Sequence, residues 1–188
     1  MDHILSYLDE LKATLATLDL EAVKQSRNLI GQARQEGKQL FLCGNGGSAT
    51  TASHMANDLG KGASYGRPAP ERFRVMALTD NVAWITALAN DVGYWSVYAE
   101  QLRNLGQPGD VLLAISPSGD SPNVLRAVSI AKKKGMRTIG WCGNRGAKLA
   151  EAVDLSVMVD SHHPGRVEDL HLILMHLVCY YFMEDQGR

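Results

Sequence analysis

The sequence predicts a doubly wound α/β domain, in which a parallel five-stranded sheet is flanked by helices and preceded by a helical arm. Three observations lead to this fold class. Short apolar runs alternate with segments of helical spacing after Gly37. Each run lacks the in–out alternation of a half-exposed strand, as is typical of parallel strands buried on both faces. At 188 residues, without an internal repeat or a low-complexity linker, the chain suits a single core.

Residues 1–36 form the predicted arm. Apolar side chains from Ile4 to Leu18 recur every three or four residues, which indicates an amphipathic helix. A second helix is predicted to begin at Asp19 or Leu20 and to end before Gly37. Because such an arm often packs on another subunit, we expect residues 1–36 to be used in oligomerisation, while residues 1–188 form one domain.

Downstream of the arm, strands and helices alternate, as crossover connections between parallel strands require. The predicted buried strands are 39–43, 74–78, 111–115, 137–141 and 155–159. The predicted helices are 48–59, 82–90 with 94–105, 122–134, 146–152 and 167–184. Ligands of such sheets bind at the carboxyl ends of the strands. The candidate binding loops are therefore 44–48, 79–81, 116–121 and 143–146.

The composition excludes several classes of protein. The net charge of −1 at pH 7 argues against a protein that binds nucleic acid through strong positive charge. Cys43, Cys142 and Cys179 are too few and too widely spaced for a disulfide framework, and we predict them to be small core residues. The chain shows no signal pattern and no apolar run of about 18 residues. We therefore expect a cytoplasmic protein without a membrane partner.

The segment from Gly44 to Ser48 joins the first sheet strand to a helix. Three glycines in four positions let backbone N–H groups approach an anion, and the helix N-terminus behind them adds partial positive charge. Ser48 could cap the helix or donate its hydroxyl to the ligand. Two other interpretations remain open. One is a tight turn without a ligand, and the other is a dinucleotide fingerprint, although the acidic residue expected about 20 positions on is missing.

A second polar loop follows the third strand and contains Ser116, Ser118 and Ser121. Pro122 favours the first position of the next helix, which makes Ser121 the predicted N-cap. Three hydroxyls at a helix start provide uncharged hydrogen-bond donors for a phosphate. Serine-rich turns are common, but two anion-binding loops after neighbouring parallel strands together predict the phosphate site of a small sugar phosphate.

Ionisable side chains occur on two of the predicted helices. His54 and Asp58 lie four residues apart and therefore share a helix face. Glu168 and His176 lie on the last helix, about 12 Å apart along its axis. An imidazole and a carboxylate one turn apart suit a divalent metal ion or proton transfer. From spacing alone, a surface ion pair or a locally satisfied core histidine explains them equally well.

With these residues in place, the chain resembles the SIS (sugar isomerase) domain family, specifically the phosphoheptose isomerases. The matching pieces are CGNGGSATTASHMANDL, ALANDVGY, GDVLLAISPSGDSPNV, the GM of KKGMRTIG, and RVEDLHLILMH. The resemblance implies an aldose–ketose isomerase that interconverts sedoheptulose 7-phosphate and D-glycero-D-manno-heptose 7-phosphate through an enediol. It also implies a cytoplasmic homotetramer with active sites between subunits.

The resemblance carries over site residues by position. The implied substrate-binding residues are Asn45, Gly46, Gly47, Ser48, Asn90, Asp91, Ser116, Ser118, Ser121 and Glu168. The implied zinc ligands are His54, Asp58, Glu168 and His176. Of these, Asp58 is implied to remove the proton next to the carbonyl, and His176 to pass a proton between the neighbouring oxygens.

Four residues depart from the family pattern. Asp58 and Glu168 replace a glutamate and a glutamine, so the base is one methylene shorter and the site gains a negative charge. Pro117 and Asp120 replace threonine and asparagine in the serine loop, where Asp120 would repel a phosphate unless it points away. Two alternatives to the isomerase therefore stay open: a non-catalytic SIS module that binds a sugar phosphate or a protein partner, and an isomerase of another sugar phosphate.

Overall fold

The computed structural model describes residues 2–68, 71–144 and 146–184. The helices are α1 (His3–Ala16), α2 (Leu20–Gln35), α3 (Gly47–Asn57), α4 (Val82–Asp91), α5 (Ala99–Leu105), α6 (Pro122–Lys133), α7 (Ala147–Ala152) and α8 (Pro164–Glu184). The strands are β1 (Gln39–Gly44), β2 (Arg74–Ala77), β3 (Val111–Ile115), β4 (Arg137–Gly143) and β5 (Leu155–Val159). A π-helical turn, Asp58–Gly62, continues α3, and a 3-10 turn, Tyr94–Ser96, lies between α4 and α5. Arg145, in one predicted binding loop, lies outside the described residues.

The five strands form one parallel sheet in the order β2-β1-β3-β4-β5. In the register of the central strands, Leu40 of β1 lies opposite Val75 of β2 and Val111 of β3. The predicted fold class is confirmed. Because all strands point the same way, the loops after β1 and β3 leave the sheet at the same edge.

Two layers of helices cover the sheet. Leu40 and Leu42 of β1 pack in a core cluster with α2, α3 and α8, whereas Phe41 and Cys43 face a second cluster with α5, α6 and α7. The alternation follows from the pleat, which sends successive side chains to opposite faces. Both faces of the central strands are therefore buried, which explains their continuous apolar sequence.

The outer strands depart from the prediction of buried strands. Arg74 and Met76 of β2 are exposed, and so is Met158 of β5. Each of these strands has a neighbour on one side only among the described residues. The apolar pattern identified the strands correctly but did not reveal which of them lie at the edges.

The arm forms the two predicted helices. Asp19 caps α2, its carboxylate accepting hydrogen bonds from the N–H groups of Glu21 and Ala22 at 3.0 Å each. The three cysteines are free and buried, as predicted. Burial raises the pKa of the Cys43 thiol to about 12. None of the described helices is long and apolar enough to cross a membrane.

Candidate functional site

A cavity of about 220 Å³ opens at the carboxyl ends of β1 and β3, where the glycine and serine loops meet. Its described lining residues are Asn45, Ser48, Ile115, Ser116, Pro117, Ser118, Ser121, Ser161, His162, Pro164, Val167 and Glu168. The helices α3, α6 and α8 all begin beside this cavity. Three helix ends with partial positive charge therefore surround it, an arrangement that favours an anion.

The glycine loop lies in close contact with the start of α8. Gly46 has a positive φ of 54° and is the N-cap of α3, so Ser48 lies inside the helix rather than at its cap. A Cβ atom on Gly47 would lie 2.5 Å from Glu168 Oε2, so only glycine lets this carboxylate rest against the loop. The Ser48 hydroxyl is buried without a hydrogen-bond partner among the described residues, which leaves its proton for a ligand.

Asn45 is held at the cavity wall by a hydrogen-bond network. Its Nδ2 donates to Asn123 Oδ1 over 2.9 Å, and Asn123 Nδ2 donates back to Asn45 Oδ1 over 2.8 Å. The hydroxyls of Tyr94 and Tyr98 each lie 3.1 Å from the same Asn45 Oδ1. These contacts use the amide oxygen of Asn45 and fix its side chain in one orientation.

The serine loop presents a cluster of hydroxyls to the cavity. Ser116 Oγ lies 3.2 Å from Ser121 Oγ and 3.5 Å from Ser118 Oγ. Ser121 takes the predicted N-cap position of α6, but its side chain makes no capping bond and contacts Ser116 instead. Asp120 pairs with Lys148 at 3.2 Å. Its carboxylate is engaged with that neighbouring lysine, and Asp120 does not line the cavity.

A second group, which we term the His–Asp cluster, consists of His54, Asp58 and His176, whose ligand atoms all lie within 4.8 Å of one another. His54 Nε2 is 3.5 Å from Asp58 Oδ2, and the two imidazole rings pack edge to face with centroids 5.1 Å apart. Asp58 is buried and begins the π-helical turn, a feature often found at functional sites. Two imidazoles and one carboxylate are a donor set that fits a divalent metal ion with an open position, and also proton transfer.

The cavity and the His–Asp cluster are joined by α3 and α8, which contact each other along their length. Near their starts, Gly47 meets Glu168, and seven and eight residues further on, His54 meets His176. At about 1.5 Å per residue, the two groups lie about 10 to 12 Å apart along the helices. One extended ligand could therefore contact both.

Three of the site residues that the resemblance implies lie apart from the others in this chain: Glu168 from the His–Asp cluster, and Asn90 and Asp91 from the cavity. Glu168 lines the cavity and is not in the His–Asp cluster that the described residues form. Asn90 and Asp91 end α4, where Asn90 Nδ2 donates to Asp91 Oδ1 over 2.8 Å. Neither of these two residues lines the cavity of its own chain.

The sequence analysis missed several residues at the cavity. Ser161, His162, Pro164 and Val167 line it. They follow β5, whose carboxyl end lies at the same edge of the sheet, so the rule applied to the other strands would have found them. Tyr94 was missed for another reason, since a hydrogen bond from a turn between two helices leaves no pattern in the sequence.

His171 lies on α8 between the two groups but belongs to the core. It is 1% exposed, and its ring centroid is 6.3 Å from that of Trp141. Burial lowers the pKa of this imidazole to about 4, with a small opposing effect of the Cys142 backbone. His171 is therefore a neutral packing residue at pH 7.

Comparison with known proteins identifies the family of the chain. A sequence model of the SIS domain matches residues 6–143. The chain is 37% identical to the phosphoheptose isomerase of Roseiflexus sp. (strain RS-1), covering 95% of this chain and 89% of that protein. For the phosphoheptose isomerase of Helicobacter pylori (strain P12), the identity is also 37%, over 94% and 90% of the two chains. A phosphoheptose isomerase structure from Francisella tularensis superimposes with a TM-score of 0.89 at 30% identity, covering 98% of both chains. The chain belongs to the SIS domain family and, within it, to the phosphoheptose isomerases.

Proposed function

We propose that this chain interconverts sedoheptulose 7-phosphate and D-glycero-D-manno-heptose 7-phosphate. The observation that carries the proposal is the pairing of two different sites on α3 and α8: a hydroxyl-lined cavity among helix N-termini and, about 10 to 12 Å away, the His–Asp cluster. The first suits a phosphate and the second suits acid–base chemistry. The separation between them favours a long sugar phosphate in its open-chain form.

The phosphate would be held mainly by neutral donors. The hydroxyls of Ser48, Ser116, Ser118 and Ser121 and the backbone N–H groups of Gly46 and Gly47 supply hydrogen bonds, and each helix N-terminus adds about 0.3–1 kcal/mol. Glu168 would accept hydrogen bonds from sugar hydroxyls beyond the phosphate. Asn90 and Asp91 would contact the substrate of a neighbouring subunit, in keeping with the active sites between subunits that the family resemblance implies.

In the proposed reaction, Asp58 removes the proton from the carbon next to the carbonyl. His176 then moves a proton between the two neighbouring oxygens of the enediol, and Asp58 returns its proton to the former carbonyl carbon, which completes the conversion of ketose to aldose. The short distances within the His–Asp cluster support this division of roles, because both groups can reach adjacent atoms of one open-chain sugar. General acid–base catalysis of this kind contributes about 10² to 10⁴-fold.

We further propose that the His–Asp cluster holds a zinc ion. His54 and His176 with Asp58 are ligands that zinc prefers, and three protein ligands are typical of a catalytic zinc site. Glu168, the fourth ligand implied by the resemblance, lines the cavity and is not part of this three-residue set. When bound, the ion would polarise the sugar carbonyl as a Lewis acid.

We also propose that the chain forms a homotetramer in the cytoplasm. Exposed apolar side chains on three helices support assembly: Ile4, Leu5 and Leu8 on α1, Val82 on α4, and Leu172, Leu177, Tyr180 and Tyr181 on α8. The helix α4 has no buried residue, although its sequence is apolar. Light scattering of the purified protein should give the tetramer mass, and a monomer at micromolar concentration would contradict the assembly.

The direct test is ketose-to-aldose conversion by the purified full chain, with and without a chelator, combined with metal analysis. We expect turnover that is lost on chelation and restored by zinc, with the highest kcat/KM for the seven-carbon ketose phosphate in a five-, six- and seven-carbon panel. Full activity of Asp58→Ala would show that Asp58 is not the base. Sugar-phosphate binding without turnover would support a non-catalytic module instead, and turnover of a shorter ketose alone would support another substrate.

A further inference from the structure

The cavity contains two ionisable side chains among its described lining residues, His162 and Glu168. No described lysine or arginine lines it, and its remaining polar side chains are serines and Asn45. Among the described residues, a phosphate bound there would meet one carboxylate and one side chain able to carry positive charge. That side chain is the imidazole of His162.

His162 and its neighbour His163 are used in different ways. His163 lies directly before α8 and caps it: its Nδ1 accepts from the N–H of Arg166 at 3.4 Å, and its carbonyl accepts from the N–H of Val167 at 3.1 Å. Its ring also packs edge to face on Tyr7 with centroids 5.7 Å apart. His162 is exposed, and no described residue hydrogen-bonds to its ring. Its donors are therefore available to a ligand.

The backbone around His162 is linked to the serine loop through the end of β4. The N–H of Asn144 donates to the Ser161 carbonyl over 3.3 Å, and the N–H of Gly143 donates to the Pro117 carbonyl over 3.0 Å. The Ser161 hydroxyl also accepts from the N–H of His163 at 3.1 Å. The segment that carries His162 is thus connected to Pro117 through Gly143 and Asn144, and it leads directly into α8.

We propose that His162 is a specificity-determining residue of this cavity, whose imidazole donates a hydrogen bond to the phosphate of the substrate. The inference rests on the proposed sugar-phosphate function and adds a residue to it. A hydrogen bond from the imidazole to the charged phosphate is charge-assisted and adds to the contacts that the serine hydroxyls can make. It also offsets the repulsion between the phosphate and Glu168 at the same cavity.

The test compares the full chain with His162→Ala, His162→Gln and the matched control His163→Ala. Binding of inorganic phosphate is measured by calorimetry, and KM and kcat are measured with sedoheptulose 7-phosphate. We expect His162→Ala to weaken phosphate binding and to raise KM, each about tenfold, with a change in kcat below about twofold. His162→Gln keeps a donor and should lose less. His163→Ala should lower the melting temperature and leave both phosphate binding and KM unchanged.

The outcomes separate this inference from the proposed function. Wild-type turnover with an unchanged KM and unchanged phosphate affinity in His162→Ala overturns the role of His162 alone. An equal loss in His163→Ala overturns it too, because the effect would then belong to the fold of the loop. Phosphate binding that depends on His162, without turnover of any sugar phosphate, supports the inference and overturns the isomerase. A wild-type protein that binds neither phosphate nor sugar phosphate overturns both.

Discussion

The cavity lies at the start of the α3–α8 pair and the His–Asp cluster lies further along the same two helices, and the two are built from different groups. Around the cavity, hydroxyls and helix N-termini provide many donors, each of them neutral. The cluster consists of three ionisable side chains whose ligand atoms lie within 4.8 Å of one another. In the proposed function, binding at the cavity would therefore be spread over many contacts, whereas chemistry at the cluster would depend on a few atoms.

Substitutions at the cavity and at the His–Asp cluster should therefore have different effects. The loss of one neutral donor at the cavity leaves the others in place, so affinity should fall by a modest factor. The loss of one ionisable group in the cluster removes a unique function, so the rate should fall by orders of magnitude. Substitutions at the cavity, at the His–Asp cluster and between them test this expected difference between affinity and rate.

The largest effect is expected at Asp58. Asp58→Asn keeps the shape of the side chain but removes its charge, so kcat should fall about 10² to 10⁴-fold, because the amide cannot accept the substrate proton. KM should stay within about threefold of the wild-type value, because the phosphate is held at the other end. Steady-state kinetics on the purified protein check both values, with Asp9→Asn, an exposed carboxylate on α1, as the matched control. A rise in KM with unchanged kcat would contradict the catalytic role of Asp58 and indicate that it binds the substrate.

The next largest effect is on stability and is expected at His171, which lies on α8 between the cavity and the His–Asp cluster. The pKa of His171 is about 4 in the folded chain and about 6.5 when unfolded, so the unfolded chain binds the extra proton between these values. Its contribution to stability is therefore present at pH 7 and is lost as the pH falls, by about 2 kcal/mol at pH 5.

Urea unfolding at pH 7 and pH 5 measures this loss. His171→Leu cannot take up the proton, so the fall in the free energy of unfolding should be about 2 kcal/mol smaller than in the wild type. His3→Leu, at an exposed imidazole on α1, should behave like the wild type. The same pH dependence in His171→Leu and wild type would mean that this imidazole is not buried in neutral form.

A smaller effect is expected at Ser48, whose buried hydroxyl lacks a partner among the described residues. Ser48→Ala should raise KM about tenfold and change kcat little, because one donor to a charged phosphate is lost. The free energy of unfolding should not fall, since no hydrogen bond within the described protein is broken. Ser129→Ala, at an exposed serine of α6, is the matched control. A loss of stability in Ser48→Ala without a change in KM would make this hydroxyl structural.

The sequence revealed one end of the site better than the other. The glycine and serine loops could be predicted because parallel strands end at one edge, and glycine and serine leave a recognisable pattern there. The spacing of His54 and Asp58 predicted a shared helix face, and they do lie together. The contact of both with His176 could not be read from spacing, since it depends on how α3 packs against α8.

Other features required the folded chain. Continuous apolar runs predicted all five strands but did not predict that Met76 of β2 is exposed. Its exposure follows from the position of β2 at one edge of the sheet, and the order of the strands could not be predicted from the apolar runs. The place of Glu168 follows from Gly47, whose missing Cβ makes room for the carboxylate. His171 and His176 lie on the same predicted helix, and the sequence does not distinguish them. Only the packing of the folded chain shows that His171 lies in the core and His176 in the His–Asp cluster.

The smallest effect is expected at Tyr94, which links the 3-10 turn to the cavity wall. Tyr98 has one hydroxyl proton, and the carbonyl of Gly44 at 2.5 Å is a closer acceptor for it than Asn45 Oδ1 at 3.1 Å. Tyr94 is then the phenol that donates to Asn45 Oδ1. Tyr94→Phe removes this donor from a half-exposed position, where a hydrogen bond is worth about 0.5 kcal/mol.

We therefore expect kcat/KM of Tyr94→Phe to fall about two- to threefold, entirely through KM, because Asn45 remains paired with Asn123 and the His–Asp cluster is untouched. Tyr65→Phe, at a tyrosine that is 84% exposed, is the matched control. A double variant with Ser48→Ala sharpens the test: if cavity donors act independently, the two losses multiply. A loss in kcat instead would show that the cavity wall positions the substrate for the chemical step, and the separation between a binding end and a chemical end would no longer hold.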